Sequence, residues 1–262
     1  MLKTKTNSRP LFRWTMGSVF WLGYETLLES IKLAKLHWGD EVDYIVVCNN
    51  IPNHLGNDLT LRGIDWIYAD TTALPFPARG FGWKYYPPRL RPDGHELFID
   101  NDLIFLKRSK YVDKFLSGDY TLYNEDIGRG FAEYESLIGK EMNWYKFGAN
   151  GGLFGFPPRY DVKTKLLNVC GGWPHHLSEQ GLTAYLTLSY PNRVGIPMPV
   201  VYNDNFGSRA LGTYQELYPN SPFLDAHLMS QLEGYHFIGA NRGPHPAWKL
   251  YKHPKPIPKI LL

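Results

Sequence analysis

Long hydrophobic runs are missing from this sequence, and so are dense runs of one charge. No stretch of the 262 residues approaches the ~18 continuous apolar residues of a membrane-spanning helix. The amino terminus, MLKTKTNSRP, is polar and lacks an apolar core segment, so it is not expected to be a secretory signal. Cysteine is scarce: Cys48 and Cys170 are the only two, and neither sits in a CxxC pair. That argues against a disulfide framework and against a cysteine zinc site. Cys48, inside an apolar run, reads as a small buried hydrophobe. The net charge is only +3, with no Lys/Arg block, so no nucleic-acid partner is expected. The phosphate-binding pattern GxxxxGK[ST] is absent. No Pro/Gly/Ser-rich linker divides the chain. These absences leave a cytoplasmic domain as the simplest expectation. The basic, Pro-rich tail from Lys249 to Lys259 is read as solvated, with peripheral contact to anionic lipid or a substrate phosphate as the alternative.

Aromatic residues, in contrast, are plentiful, at 15% of the chain. Their flat apolar faces suit sugars and nucleobases, although most are expected in the core. Apolar positions follow a readable order. Leu11 to Met16 predicts a strand. Leu27, Leu28, Ile31, Ala34 and Trp38 recur at helical spacing, and Gly39 is placed to end that helix. Tyr44 to Cys48 is a β-branched run suited to a strand covered on both faces. A short helix is expected over Leu55 to Leu61 and a third strand over Ile64 to Tyr68. Strand and helix alternating in this way predict an α/β protein with a mostly parallel central sheet flanked by helices. In such sheets ligands bind at the carboxyl ends of the strands. Further on, Tyr111 to Leu116 and Ser178 to Leu188 predict helices, with Ser178 as the N-cap. Strands are expected at Tyr120 to Tyr123, near Val194, and over Tyr235 to Ile238.

The chemistry centres on His95 to Arg108, HELFIDNDLIFLKR. Asp100 and Asp102 interrupt two apolar stretches, Leu97–Ile99 and Leu103–Leu106. Positions two apart in a strand face the same way. Two carboxylates on one side of a buried strand repel unless a cation lies between them. Oxygen ligands favour Mg²⁺ or Mn²⁺. Asp-Asn-Asp can instead be simple turn chemistry, but a turn is normally followed by a polar stretch, not by Leu-Ile-Phe.

This segment, LFIDND, resembles the DxD segment of GT-A (Rossmann-like) nucleotide-sugar glycosyltransferases, especially the glycogenin-like and galactosyltransferase-like retaining group, family 8. Three further segments are similar to that group's, in its order. They are Asn150-Gly151-Gly152-Leu153-Phe154-Gly155, then Ser178-Glu179-Gln180-Gly181-Leu182, then His236-Phe237-Ile238-Gly239 followed by Arg242 and Pro244. Each is short; together and in order they are moderately specific.

The resemblance implies one GT-A catalytic domain over residues 1–262. Residues 1–110 would bind the nucleotide sugar; residues 111–262 would shape the acceptor site and supply the tail. It implies Asp100, Asp102 and His236 as metal ligands, with imidazole favouring Mn²⁺ over Mg²⁺. Arg242, or Lys249 as its rival, would meet the diphosphate. The backbone at Gly239 would lie beside it. Asn150 would bind sugar hydroxyls, with Gly151 and Gly152 allowing close approach of a ligand or marking a β-bulge. Glu179, where the group has Asp, would bind donor hydroxyls, and the Gln180 amide would lie near the anomeric carbon. Lys84 and Arg89, in GWKYYPPRLRP, would serve the base, ribose or phosphate, or stand as plain loop charges. The Asp that the group places after strand one is missing here; Phe20 or Trp21 could stack on the base instead. UDP is the default nucleotide.

The implied reaction is hexose transfer from a nucleoside diphosphate sugar to an acceptor hydroxyl, with retention. An inverting enzyme would need a carboxylate base, for which Glu125, Asp126 and Asp204 are candidates. Two other readings stand beside it. One is a nucleotidyltransferase or phosphoryl-transfer enzyme using the same carboxylates. The other is a non-catalytic carbohydrate-binding module, with aromatics such as Trp144, Tyr145, Phe147 and Trp173 as platforms.

Overall fold

A computed structural model describes residues 9–17, 21–69, 82–126, 148–169, 179–205, 230–238 and 245–252. The chain starts with β1 (Leu11–Met16), α1 (Trp21–Trp38), β2 (Asp43–Cys48), α2 (Asn53–Leu61) and β3 (Trp66–Tyr68). Every residue of β1 is buried, as expected for a central strand covered on both faces. Gly39, at φ +48°, turns the chain out of α1 into a short 3₁₀ turn. The third strand is shorter than the apolar run suggests. Gly63 closes α2 at φ +64°, and the Ile64 amide bonds back to the Leu59 carbonyl, so pairing begins only at Trp66.

Next come β4 (Glu96–Asp100), β5 (Leu103–Phe105), α3 (Lys110–Leu116), β6 (Thr121–Asp126), β7 (Gly148–Phe156), α4 (Val162–Val169) and α5 (Glu179–Leu188). The last elements are β8 (Arg193–Ile196), β9 (Val201–Asn205), β10 (Gly234–Ile238) and α6 (Pro246–Lys252). The described strands form two sheets. Seven lie in the order β3-β2-β1-β4-β7-β6-β8, and three in the order β5-β10-β9. In the larger sheet β7 alone runs against its neighbours. The mostly parallel sheet expected from the alternating pattern is therefore present.

Strand alternation divides the larger sheet's faces. Phe12, Trp14, Met16, Leu97 and Ile99 join Leu27, Ile31, Leu59, Val112 and Phe115 in one core under α1, α2 and α3. Phe98, Phe154 and Phe156 point the other way and pack with Leu166, Leu182 and Leu186 of α4 and α5. Burying a side chain of this size contributes about 1.5–3 kcal/mol. The smaller sheet has its own cluster, in which Ile104, Tyr235 and Phe237 meet Leu22 and Trp248. No helix among the described residues is long and apolar enough to cross a membrane.

Order 3-2-1-4 matters for function. The chain steps outward from β1 through β2 to β3, then returns to place β4 on the other side of β1. In open α/β sheets ligands bind outside the carboxyl ends of the strands at such a switch. Thr15 of β1 lies beside Asp100, the last residue of β4, at that point.

Candidate functional site

The two carboxylates converge, but not by facing one way along a strand. β4 ends at Asp100, residues 101 and 102 form a turn, and β5 begins at Leu103 in the other sheet. The expectation of one strand with two same-side carboxylates is thus corrected. Leu-Ile-Phe follows the turn because the chain passes from one buried sheet directly into another. Asn101 anchors the turn by donating from Nδ2 to the Gly23 carbonyl of α1 at 2.9 Å. The Phe237 amide donates to the Asp102 carbonyl at 2.8 Å and fixes the turn to β10.

His236 of β10 completes the cluster. One ligand atom from each of Asp100, Asp102 and His236 lies within 4.8 Å of the others. Its Nε2 is 3.1 Å from Asp102 Oδ1 and 3.9 Å from Asp100 Oδ2. Ligands of an octahedral ion bound at about 2.1 Å stand about 3 Å apart when adjacent and about 4.2 Å when opposite, so these side chains need only close slightly to hold a divalent cation. The donor set, two carboxylates and an imidazole, suits a divalent metal ion. Burial works to lower the His236 pKa, but the Asp102 and Asp100 carboxylates outweigh it and raise the pKa above its ordinary value.

Glycine-rich β7 makes room for this ring. A Cβ on Gly152 would fall 2.2 Å from His236 Cε1 and 2.8 Å from its Nδ1. The pairing of β6 with β7 also shifts here, with Tyr123 opposite Phe154 and Asn124 opposite Asn150. The bulge is therefore real, and the space at Gly152 belongs to the imidazole. Asn150 is held beside it. Its Oδ1 accepts from the Gly152 amide at 2.7 Å, and its Nδ2 donates to Asp126 Oδ2 at 2.8 Å.

Lys84 joins the cluster. Its ammonium donates to Asp100 Oδ1 and to the Gly151 carbonyl, both at 2.9 Å, and the side chain is buried. Arg89 does not join it. Its guanidinium pairs with Glu96 at 3.1 Å and donates to the carbonyls of Arg91, Gly94, Pro157 and Tyr160. Glu96 starts β4 and Asp100 ends it, about 13 Å apart at strand rise. The expectation that Arg89 serves a nucleotide is corrected for that reason: its donors are used at the opposite end of the strand.

Sequence reasoning missed the residue that places Lys84. Arg13 of β1 is fully buried, pairs with Glu96 at 3.1 Å, and donates to the carbonyls of Lys84, Tyr86 and Pro87. Its guanidinium also lies 4.5 Å over the Phe98 ring. One arginine thus grips the backbone from which Lys84 reaches Asp100. The available signal was a lone charge in LFRWTM facing an opposite charge at the start of ELFID. Asn124 and Asn203, both buried, were missed as well; they stand behind His236.

Gln180 lies in the first turn of α5, which packs on β7. Its Oε1 is buried with no hydrogen-bond partner among the described residues. The side chain of Glu179 lies outside the described residues, as do Phe20, Ser178, Gly239, Arg242, Pro244, the side chains of Trp21 and Lys249, and the aromatics from Trp144 to Phe147 and Trp173. Of the candidate bases, Glu125 points with the Tyr123 ring to Gly195, on the face of β6 opposite Asn124 and Asp126, and Asp126 accepts from Asn150. Burial raises the Glu125 carboxyl pKa. Asp204 of β9 accepts from the Tyr235 hydroxyl.

Neither protein-family models nor curated protein sequences match the chain. Solved structures do. WbbM, a bifunctional glycosyltransferase, superposes with a TM-score of 0.59 at 14% identity, over 91% of this chain and 47% of its own. The chain therefore spans about half the length of WbbM. The galactosyltransferase LgtC, solved with donor and acceptor sugar analogs, gives 0.54 at 14% identity, over 87% of each chain. Mouse xyloside xylosyltransferase 1 gives 0.53 at 10% identity, over 89% of this chain and 100% of its own. At such identities the likeness speaks for the fold. The sheet order, the turn carrying Asp100 and Asp102, and these superpositions together give this chain the GT-A fold, with a DxD pair facing His236.

Proposed function

We propose that this chain is a metal-dependent glycosyltransferase, moving a hexose from a nucleoside diphosphate sugar, with UDP as the nucleotide, to an acceptor hydroxyl with retention. One observation carries the reading: Asp100, Asp102 and His236 converge at the strand-order switch of a GT-A fold. The activities in the names of WbbM, LgtC and the xylosyltransferase support it.

In this reading the three side chains hold the cation. A bound divalent cation supplies charge neutralisation on the departing diphosphate. Lys84, already beside Asp100, adds a second positive charge to the same site. Arg242 or Lys249, with the backbone at Gly239, meets the diphosphate, and Phe20 or Trp21 stacks on the base. Asn150 keeps one N–H and one lone pair for sugar hydroxyls after its bonds to Asp126 and Gly152. Glu179 binds donor hydroxyls. The Gln180 oxygen, which has no partner among the described residues, can accept from a hydroxyl near the anomeric carbon. The departing phosphate takes the acceptor proton, so no protein base is required. Residues 1–262 act as one catalytic domain, the first 110 binding the donor and the rest shaping the acceptor site.

A hydrolysis screen across nucleotide sugars, with Mn²⁺ and with chelator, tests the reading. Slow release of sugar and nucleoside diphosphate from at least one donor, abolished by chelator, is expected. Release of pyrophosphate from a nucleoside triphosphate and sugar phosphate would favour nucleotidyl transfer instead.

A further inference from the structure

His236 can ligate through Nε2 only if that nitrogen carries no proton, and an imidazole alone does not choose which nitrogen is bare. The choice comes from whatever meets Nδ1. Here Nδ1 lies 3.1 Å from Asn203 Oδ1. Amide oxygen and nitrogen must be assigned from their surroundings, and the surroundings of Asn203 are decisive. Its Nδ2 donates to the Glu125 carbonyl at 3.3 Å. A backbone carbonyl can only accept, so it holds Nδ2 there and turns Oδ1 the other way. Asn124 Nδ2 donates to the same Oδ1 at 3.1 Å. Reversing the Asn203 amide would set its oxygen against the Glu125 carbonyl. The polarity therefore runs one way, from the β6 backbone through Asn203 to Nδ1–H of His236.

We infer that Asn203 is a positioning residue that fixes the tautomer of His236. It requires Nδ1 to carry a proton, which leaves Nε2, 3.1 Å from Asp102 Oδ1, as the nitrogen that can meet a cation held by Asp100 and Asp102. Asn203 is itself buried on β9, and His236 lies beside it in register on β10. Gly152 faces the same ring from β7. The ring's place is thus set by packing and its tautomer by one amide. This inference rests on the cation-site reading above, and deepens it by naming what prepares the nitrogen ligand.

The test uses metal ions alone, without nucleotide, on the intact chain. Mn²⁺ affinity is measured at one fixed pH for wild type, Asp102→Ala, Asn203→Leu and Asn203→Asp. Wild-type binding that Asp102→Ala abolishes establishes the site. Without it the cation-site reading itself fails, whatever Asn203 does. With the site established, Asn203→Leu should bind about 10- to 100-fold more weakly. Asn203→Asp, which restores an acceptor to Nδ1, should recover most of that loss. Equal affinity for Asn203→Leu and wild type would overturn the inference, as would equal weakening in both Asn203 variants. A second readout needs no variant and so is independent of their folding. In ¹⁵N-histidine spectra of the wild type loaded with diamagnetic Cd²⁺, Nδ1 of His236 should carry the proton and Nε2 should couple to the metal. A proton on Nε2 would overturn the assignment.

Discussion

Around His236, each neighbour leaves the ring little freedom. Gly152 is the sharpest case, because a side chain there would occupy the imidazole's own volume. Gly152→Ala must push the ring or the bulged strand aside. Overpacking of this kind costs about 1–3 kcal/mol in stability, and a ring displaced by 1 Å no longer meets both carboxylates. We expect Gly152→Ala to fold, to lose stability in that range by urea unfolding, and to bind Mn²⁺ at least 10-fold more weakly. Unchanged Mn²⁺ affinity would show that the imidazole does not depend on this contact. At this scale the sequence told residue types well and contacts poorly. Asp100 and Asp102 were legible because two carboxylates between apolar runs need an explanation, whereas His236 was singled out only by the family resemblance, since a lone histidine in an apolar strand is more often structural. Asn124 and Asn203 were not, because nothing in VVYND or TLYNED says which buried amide meets which ring. Such a meeting depends on register between strands about 80 residues apart in sequence.

Among elements, the informative unit is β4 with its partners. Glu96 at its start is buried between Arg13 and Arg89, and Leu90 and Arg91 amides also donate to it. The opposite end carries Asp100, with Lys84 on it. Arg13 spans the two ends, because its carbonyl acceptors include Lys84 itself. Removing the charge from Glu96 leaves two buried guanidinium groups without their anion. Breaking a buried pair on one side costs about 3–5 kcal/mol. Glu96→Gln should therefore lose stability of that order in urea unfolding. A loss under about 1 kcal/mol would mean that the carbonyls alone satisfy both arginines. Most elements were legible from periodicity: β1, α1, β2, α2 and α3 fall where the apolar spacing puts them. The passage from β4 to β5 was not. Apolar residues on both sides of a two-residue turn look like one continuous strand, and pattern alone carries no sign that the chain has changed sheets. Arg89 was misplaced for a related reason: a basic residue in a Pro-rich loop looks solvated until its carbonyl partners are known.

Across the whole molecule, the site exists because two sheets meet. Asp100 closes a strand of the seven-stranded sheet, and His236 belongs to the three-stranded one. The turn through Asn101 and Asp102 joins them. The strand-order switch beside β1 lies at that junction, where open α/β sheets bind their ligands. The α/β class and the parallel sheet were legible from alternating elements. The second sheet was not, since its strands are short, distant in sequence and paired in both directions. The central claim is that this junction binds a nucleoside diphosphate through a divalent cation. Calorimetric titration of UDP in Mn²⁺ and in chelator, with wild type and Asp102→Ala, tests it most directly. The account predicts binding by the wild type in Mn²⁺, and loss of that binding both in chelator and in Asp102→Ala. Mn²⁺-dependent UDP binding that survives in Asp102→Ala would contradict it.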